Sequence, residues 1–230
     1  MSGAPTFHVR ELGEGSEDVQ FMMDAFDSTL PRLAAIGSGG QWGSVPASER
    51  SNVNDLLKSL GQARRYRSTG EGDPIWFFII ETEIPSTALD ELPASVHVRT
   101  SNDKKFLAVG CVKLSEGICP HYIRGHFDKD IIRKELEGNT DYLYLEALIT
   151  DYRTGSWRKG SGAALVEYSR HFCRGRGKTV LYLDAYAGND GKLVKWYETQ
   201  GFSVVIEVEH PTPTGSKWPG AILRMDVIEQ

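Results

Sequence analysis

The sequence has few cysteines, no long apolar run and no excess of basic charge, and each shortage excludes a class of protein. Three cysteines (Cys111, Cys119 and Cys173) are too few and odd in number for a disulfide framework, so a reducing compartment, the cytoplasm, is expected. No apolar stretch approaches the roughly 20 residues that span a bilayer. The net charge of −5 speaks against binding nucleic acid through a broad basic surface.

The remaining composition is that of a globular domain. Hydrophobic residues make up 40% of the chain and charged residues 25%, which argues against disorder and coiled coil. A chain of 230 residues is most simply one large domain. We therefore predict a single domain over residues 1–230, with surface insertions at 84–95 and 116–140.

Apolar periodicity predicts a mixed sheet. Helical spacing is found in residues 17–36, where Pro31 is expected to kink or divide the helix, and in residues 47–67. Strand patterns cover 7–12, 74–81, 96–100, 106–114, 142–150, 179–185, 202–208 and 221–227. Strands and helices alternate only in the middle of the chain. This predicts an α+β fold rather than a doubly wound parallel one.

A glycine-containing loop with two basic residues lies between a strand and a helix. It reads Arg158-Lys-Gly-Ser-Gly-Ala163. Glycines let backbone N–H groups approach an anion, while the helix N-terminus and the basic side chains add positive charge. The pattern is typical of a phosphate site, although an ordinary strand–helix turn would share it. It lacks the Gly-Lys-Ser/Thr of a P-loop and the third glycine of a dinucleotide-binding loop.

This loop resembles the signature of the GNAT superfamily of acyl-CoA-dependent N-acyltransferases. Gly160 and Gly162 match the two small positions of its Gln/Arg-x-x-Gly-x-Gly/Ala motif. Trp157 stands where the family prefers Gln or Arg, and Arg158 is expected to supply that charge. Four further segments are similar to the family's closing strand, asparagine, tyrosine-bearing helix and Gly-Phe turn: Leu181-Tyr-Leu-Asp184, Gly188-Asn-Asp190, Leu193-Val-Lys-Trp-Tyr197 and Gly201-Phe202.

The resemblance implies a fold and a cofactor site. The fold is a central, mostly antiparallel twisted sheet flanked by helices and splayed between the fourth and fifth core strands. The cofactor is acetyl-CoA, as acyl donor. Its pantetheine arm would lie along main-chain groups of Leu148, Ile149 and Thr150, and contact Asn189, or Asp190 if the register shifts by one. Its pyrophosphate would be held by Arg158, Lys159, Gly160, Ser161, Gly162 and Ala163.

The resemblance also implies catalytic roles for Tyr197 and Glu146. Tyr197 would protonate the departing CoA thiolate; otherwise it is a core aromatic residue beside Trp196. Glu146 stands in an apolar strand, where an unpaired carboxylate is costly to bury, and by alternation shares a face with Tyr144 and Leu148. It would deprotonate the acceptor ammonium, whose pKa is near 10, or else be a solvated or salt-bridged residue. Weaker candidates for the base are Glu81, Glu83 and Asp184.

The acceptor is the least defined part of the expected site. In this family the loop at 37–44 lines the acceptor side, so Gln41 and Trp42 would form a substrate-binding wall, unless Trp42 plugs the sheet edge. The acidic net charge favours a cationic acceptor such as a polyamine, an aminoglycoside-like amine or a peptide amine. No metal is expected, because Cys119, His121 and His126 lack the paired ligand spacing of a zinc site.

We therefore expect an N-acetyltransferase that transfers an acetyl group from acetyl-CoA to a primary amine of a small molecule or peptide by direct attack. The alternative is a catalytically silent acyl-CoA-binding sensor or interaction module. A protein that binds ATP or NAD through the same loop is a weaker alternative. No nucleic-acid or membrane partner is expected, and a homodimer is compatible with the sequence.

Overall fold

The chain forms one twisted sheet with helices on both faces. The computed structural model describes residues 6–13, 15–50, 53–211 and 217–227, with all their side chains except those of residues 53 and 55. The strands are β1 (Phe7–Glu11), β2 (Ile75–Ile84), β3 (Val98–Ser101), β4 (Lys104–Glu116), β5 (Tyr142–Thr150), β6 (Val180–Tyr186), β7 (Ser203–Pro211) and β8 (Lys217–Asp226). The helices are α1 (Ser16–Ala35), α2 (Val53–Thr69), α3 (His121–Arg124), α4 (Asp130–Leu136), α5 (Ser161–Gly175) and α6 (Lys192–Thr199).

The strand order is β1-β2-β4-β5-β6-β8-β7, with β3 paired to β4 outside this path. Among the strands of the described residues, β5 and β6 are the one pair that runs parallel. Their pairing ends at Leu145 and Leu183, beyond which the two strands separate. The predicted α+β fold, the mostly antiparallel sheet and the splay between the fourth and fifth core strands are therefore confirmed, because β5 and β6 hold those places along the main path.

Apolar side chains cover both faces of the sheet. On one face, Leu165 of α5 and Tyr197 of α6 pack with Leu183 and other strand residues. On the other face, Phe21 of α1 packs with Ile79. Burial of each such side chain contributes about 1.5–3 kcal/mol, so these two layers fix where α5 and α6 stand relative to the splay.

The first helical region differs from the prediction in one respect. α1 runs without a break from Ser16 to Ala35, so Pro31 does not divide it. Pro31 is exposed, and its missing N–H costs the helix a single hydrogen bond at Asp27. The carboxylate of Asp27 accepts a hydrogen bond of 2.6 Å from the backbone N–H of Ala47, which ties the following loop to α1.

The 116–140 segment packs on the sheet through its own apolar side chains. Ile123 and Ile132 are fully buried beside Tyr144 of β5 and Tyr182 of β6. The 84–95 segment contains a 3₁₀ turn at Ser86–Glu91. Whether residues 1–230 make up a single domain stays a prediction. Among the described helices, none combines the length and the apolar character needed to cross a bilayer.

Candidate active site

The separation of β5 from β6 opens a cavity of about 690 Å³. It is lined by eleven of the side chains or backbone segments that the sequence singled out: Gln41, Trp42, Glu146, Leu148, Ile149, Thr150, Arg158, Gly160, Gly162, Ala163 and Tyr197. Lys159, Ser161 and Asn189 lie outside this lining. The fold thus brings most of the predicted site together from four separate parts of the chain.

The open edge of β5 supplies backbone hydrogen-bonding groups to the cavity. Leu148, Ile149 and Thr150 are paired with β4 on one side, but β5 has no partner on the side of β6 beyond Leu145. Their N–H and C=O groups on that side are therefore available to a ligand, since backbone polar groups in a protein interior require partners. An extended chain with amide groups of its own would fit there.

A bulge in β5 determines where Glu146 stands. Leu114 pairs with Leu145 and Lys113 pairs with Ala147, which leaves Glu146 as the extra residue. Because a bulge breaks the alternation of side chains, Leu145 and Leu148 pack into the same apolar cluster. The predicted common face of Glu146 and Leu148 is therefore wrong.

The N-terminus of α5 forms a corner of the cavity where the sequence predicts anion binding. Gly160 caps the helix with a φ of 91°, a left-handed conformation that glycine adopts without strain. The hydroxyl of Ser161 donates a hydrogen bond of 2.8 Å to the carbonyl of Arg158 and braces the loop. The first N–H groups of the helix have no acceptor within it, and the helix dipole makes this end positive.

Arg158 brings a full positive charge to the same corner. Its guanidinium lies 3.6 Å from the centroid of the Tyr152 ring, and its Nε is buried without a hydrogen-bond partner among the described residues. Trp157 packs against the apolar core instead. Arg158 therefore lines the cavity and Trp157 does not, and the motif role expected of Arg158 stays a prediction.

Tyr197 is both a core aromatic residue and part of the cavity wall. It is 6% exposed and contacts the rings of Trp196 and Phe202, with centroids 4.8 and 5.6 Å away. Burial raises the pKa of Tyr197 above its usual value, and the charge of Asp184 adds to the effect. The phenol is therefore protonated at neutral pH and able to donate a proton.

Two carboxylates line the cavity, and their surroundings differ. Glu146 Oε2 lies 2.6 Å from Lys113 Nζ, so its charge is balanced by a cation. Asp184 Oδ1 instead accepts hydrogen bonds from the hydroxyls of Tyr144 (2.9 Å) and Tyr122 (3.0 Å), both neutral. Burial raises the pKa of Asp184 to about 6, and the nearby negative charge of Glu146 contributes to the rise.

Solved structures of acetyltransferases share this architecture. A protein assigned to the GNAT family, from Desulfovibrio desulfuricans, matches over 97% of this chain and 100% of its own, with a TM-score of 0.53 and 13% identity. The ribosomal-protein-S18-alanine N-acetyltransferase of Escherichia coli matches over 98% and 96%, with a TM-score of 0.51 and 14% identity. A protein assigned as an acetyltransferase, from Salmonella typhimurium and with its cofactor acetyl-CoA, matches over 97% and 95%, with a TM-score of 0.55 and 10% identity.

The chain has the GNAT fold. No family model and no curated protein sequence matches it. Since one fold carries many acceptors, the likeness says nothing about which acceptor this chain would use.

In this GNAT fold the α1–α2 loop closes one wall of the cavity. Gln41 and Trp42 both line it, and Trp42 packs edge-on against Phe26 of α1 at 5.3 Å. Gly40 allows the loop to approach Tyr186 of β6, because a Cβ there would lie 2.5 Å from the Tyr186 hydroxyl. Trp42 therefore both lines the cavity and packs against its neighbours.

Asn189 holds that loop in place. Its side-chain amide donates to the carbonyl of Ile36 (2.9 Å) and to the hydroxyl of Ser38 (2.7 Å), and its φ is 55°. The contact of Asn189 with pantetheine, which the resemblance implies, stays a prediction. Lys159 is exposed at the end of the 3₁₀ turn Tyr152–Arg158, beside the anion-binding corner.

The other acidic candidates serve the structure elsewhere. Glu81 is 1% exposed and accepts three hydrogen bonds of 2.6–2.9 Å from Arg99 and a fourth from Arg10. Glu83 pairs with Lys104 at the surface, 2.8 Å away. Neither lines the cavity, so Asp184 is the weaker candidate that the structure brings to the site.

Sequence reasoning missed several residues of the cavity wall. Tyr122, Tyr186, His210 and Trp218 all line it, yet none belongs to a motif with a recognisable spacing. They share only that each is an aromatic residue near a strand end or in an insertion. The sequence alone does not show that these separate segments meet. Among the described residues, no group of three or more His, Cys, Asp or Glu side chains is arranged to hold a metal ion.

Proposed function

We propose that this chain is an N-acetyltransferase that transfers the acetyl group of acetyl-CoA to a primary amine by direct attack. The observation that supports this most strongly is a single cavity lined by a glycine-containing helix N-terminus, an open strand edge, a buried phenol and two carboxylates. The free, buried cysteines fit a reducing compartment, and we place the activity in the cytoplasm.

The cofactor would lie across the splay. Its pyrophosphate would accept hydrogen bonds from the backbone N–H groups of 160–163, next to the charges of Arg158 and Lys159. Its pantetheine amides would pair with the open edge of β5 at Leu148–Thr150, as an additional strand would. This arrangement directs the thioester towards the carboxylates and Tyr197.

The chemistry requires two proton transfers. The acceptor arrives as an ammonium ion and must lose a proton before its nitrogen can attack the thioester carbon. When the tetrahedral intermediate collapses, the C–S bond breaks and the thiolate takes the proton of the Tyr197 hydroxyl. The nitrogen is positively charged after the attack, and its second proton passes through solvent to the Tyr197 phenolate, which restores the phenol, while the base releases the first proton to solvent.

Two carboxylates are candidates for accepting the ammonium proton. Asp184, with a pKa of about 6 and neutral hydrogen-bond partners, is suited to take a proton at neutral pH, whereas Glu146 forms an ion pair with Lys113. Glu146 as the base stays a prediction, and in our proposal its charge supports the raised pKa of Asp184.

The experiment that tests the function combines CoA binding with acetyl transfer. Titration calorimetry measures CoA affinity, and release of the free CoA thiol from acetyl-CoA is followed with a panel of primary amines. Gly162→Asp places a negative charge at the anion corner and is expected to weaken CoA binding at least tenfold, on the order of 1.4 kcal/mol.

Gly162→Ala is the matched control. A Cβ at this position meets Trp196 and Thr150 at 3.6 and 3.7 Å, which are ordinary contacts, so alanine fits. Equal CoA affinity in the wild type and in Gly162→Asp would refute the cofactor site. CoA binding without thiol release from any amine would instead favour the silent acyl-CoA-binding module.

A further inference from the structure

We propose that the acceptor is a monocationic primary amine carried on an aromatic or apolar body, and that Asp184 and a wall of four rings select it. The ring wall consists of Tyr122, His210, Trp218 and Tyr186. This inference rests on the proposed function, since it names the acceptor class of the same cavity.

The ring wall is continuous. The centroids of Tyr122 and His210 are 5.1 Å apart, those of His210 and Trp218 5.4 Å, and those of Trp218 and Tyr186 5.5 Å. All four side chains line the cavity. A surface of contacting rings favours planar or apolar groups, and the faces of aromatic rings also attract cations.

The 116–140 segment builds part of this wall. The hydroxyl of Tyr122 donates to Asp184 Oδ1, and His126 Nε2 lies 3.0 Å from His210 Nδ1. Because Ile123 is fully buried between these two residues, the segment is anchored to the sheet where it meets the cavity. An insertion without an assigned role thereby becomes an acceptor-selecting element.

The wall carries no charge at neutral pH. His210 is 8% exposed, and burial together with the nearby His126 lowers the pKa of His210 to about 4. Its buried Nε2 has no hydrogen-bond partner among the described residues. A neutral imidazole between Tyr122 and Trp218 does not repel the positive charge of a bound ligand.

The charges in the cavity lining limit the acceptor to one cation. Arg158, at the phosphate corner, is the single Lys or Arg in the described lining, so the carboxylate of an amino acid has no second partner. Of the two acidic side chains, Glu146 is balanced by Lys113, and Asp184 is bonded by neutral hydroxyls. A half-buried carboxylate without a cation is unfavourable, and one ammonium group relieves it. The described lining offers a polyamine no second carboxylate that lacks a cation partner.

The test compares ligands that differ in one feature. Phenethylamine carries one ammonium on a ring, 2-phenylethanol lacks the charge, phenylalanine adds a carboxylate, and spermidine replaces the ring with further charges. Each is titrated into the chain in the presence and absence of CoA, and kcat/KM for thiol release is measured with the three amines. Phenethylamine is expected to bind at least tenfold more tightly than the other three. Equal or tighter binding of spermidine, phenylalanine or 2-phenylethanol would overturn the proposal.

Variants of Asp184 and Tyr122 test which side chains select the ligand. Asp184→Asn is expected to abolish the preference for phenethylamine over 2-phenylethanol, and Tyr122→Leu to weaken binding of both about tenfold. Tyr122→Phe keeps the ring and is expected to retain the binding of 2-phenylethanol. Lys134→Ala, an exposed position of the same segment outside the cavity lining, is the control. Unchanged ligand preference in Asp184→Asn would contradict the role of Asp184.

The two proposals fail in different ways. Thiol release with some other amine, without binding of phenethylamine, would overturn the acceptor class and leave the acetyltransferase standing. Binding of phenethylamine that depends on Asp184, without thiol release from any amine, would retain the cation site and refute the enzymatic function.

Discussion

At the residue scale, burial favours the neutral form of both Tyr197 and Asp184. It raises the pKa of both, which keeps the phenol protonated but brings the carboxyl group to about 6, within reach of neutral pH. The phenol is protonated at neutral pH and can donate a proton, while loss of hydration makes the carboxylate a stronger base. Two groups with these tendencies in one cavity are what acyl transfer from a thioester to an ammonium ion requires.

Tyr197→Phe tests the donor. The substitution keeps the ring contacts with Trp196 and Phe202 and removes only the hydroxyl, so stability is expected to change little. Loss of a positioned proton transfer lowers kcat by about 10²–10⁴. The rate is measured under single-turnover conditions, where chemistry is observed directly.

Tyr168→Phe on α5 is the control, because Tyr168 packs against Phe78 outside the cavity lining and is expected to keep full activity. An unchanged single-turnover rate for Tyr197→Phe would leave Tyr197 as a core residue only.

Asp184→Asn is expected to raise stability at neutral pH. Because the folded-state pKa is raised to about 6 from an ordinary value near 4, the ionised carboxylate disfavours folding above pH 6, by about 2–3 kcal/mol. As pH falls through 6, Asp184 takes up a proton in the folded state and the penalty shrinks, reaching zero below about pH 4. The difference in unfolding free energy between variant and wild type should therefore be largest at pH 7 and vanish by pH 4. Denaturant unfolding at several pH values measures it.

The same variant separates the two carboxylates in catalysis. If Asp184 accepts the proton, Asp184→Asn loses about 10²–10⁴ in kcat/KM, with partial recovery at high pH where solvent supplies free amine. Glu146→Gln would then lower kcat/KM by a smaller factor than Asp184→Asn does. The reverse order of losses would return the role of base to Glu146, as the resemblance implied.

At the element scale, the acceptor wall depends on a loop that has little structure of its own. The α1–α2 connection carries Gln41 and Trp42, and Asn189, before α6, holds it through Ile36 and Ser38. The side chain of Asn189, in the loop before α6, thereby positions the α1–α2 loop. A single amide group couples these two loops.

Substitution of Asn189 tests this coupling. Asn189→Gly tolerates the positive φ but loses both hydrogen bonds, and is expected to destabilise the fold by about 1–2 kcal/mol. Asn189→Ala adds the strain of a left-handed conformation, about 1–2 kcal/mol more. The KM for the amine should rise in both variants while the Kd for CoA is retained. A selective loss of CoA affinity would instead show that Asn189 contacts the pantetheine.

Helices and strands could be predicted where a single local rule, such as apolar periodicity or turn composition, decides the conformation. The turn between β3 and β4 illustrates this: Asn102 and Asp103 have φ values of 50° and 59°, as a tight hairpin demands of Asn and Asp. The bulge at Glu146 escaped prediction because strict alternation was the simpler pattern, and nothing local marks where an extra residue enters. The continuity of α1 through Pro31 depends on the exposure of its ring, which tertiary packing decides.

At the scale of the whole molecule, the residues of the proposed phosphate-binding half lie together in the sequence, and those of the proposed acceptor half do not. Gly160, Gly162 and Arg158 lie close together in the chain, so their spacing already describes the corner they form. The ring wall joins Tyr122, His210 and Trp218 across the sheet, and only the folded chain brings them together. Contacts between distant segments leave no periodic trace in a single sequence.

The splay of the sheet leads to a prediction for the whole molecule. CoA would lie between strands β5 and β6 beyond Leu145 and Leu183, where the two strands are no longer hydrogen-bonded to each other. It would bind only the folded state. At a free concentration one hundred times its Kd, it should add about 2.7 kcal/mol to stability. For a chain of this size each kcal/mol raises Tm by about 2–4 °C. Acetyl-CoA and CoA should therefore raise Tm by about 5–11 °C, measured by calorimetric scanning.

ATP and NAD distinguish this arrangement from nucleotide binding in general. Both offer a polyphosphate to the α5 corner, but neither has the pantetheine arm that would follow the open edge of β5. Each should therefore raise Tm by less than CoA does at the same concentration, and Gly162→Asp should reduce all three shifts because they depend on the same corner. Shifts of equal size from ATP, NAD and CoA would mean that the open edge of β5 contributes nothing to binding. The cavity would then be a nucleotide site, and the roles proposed for Tyr197 and Asp184 would lose their substrate.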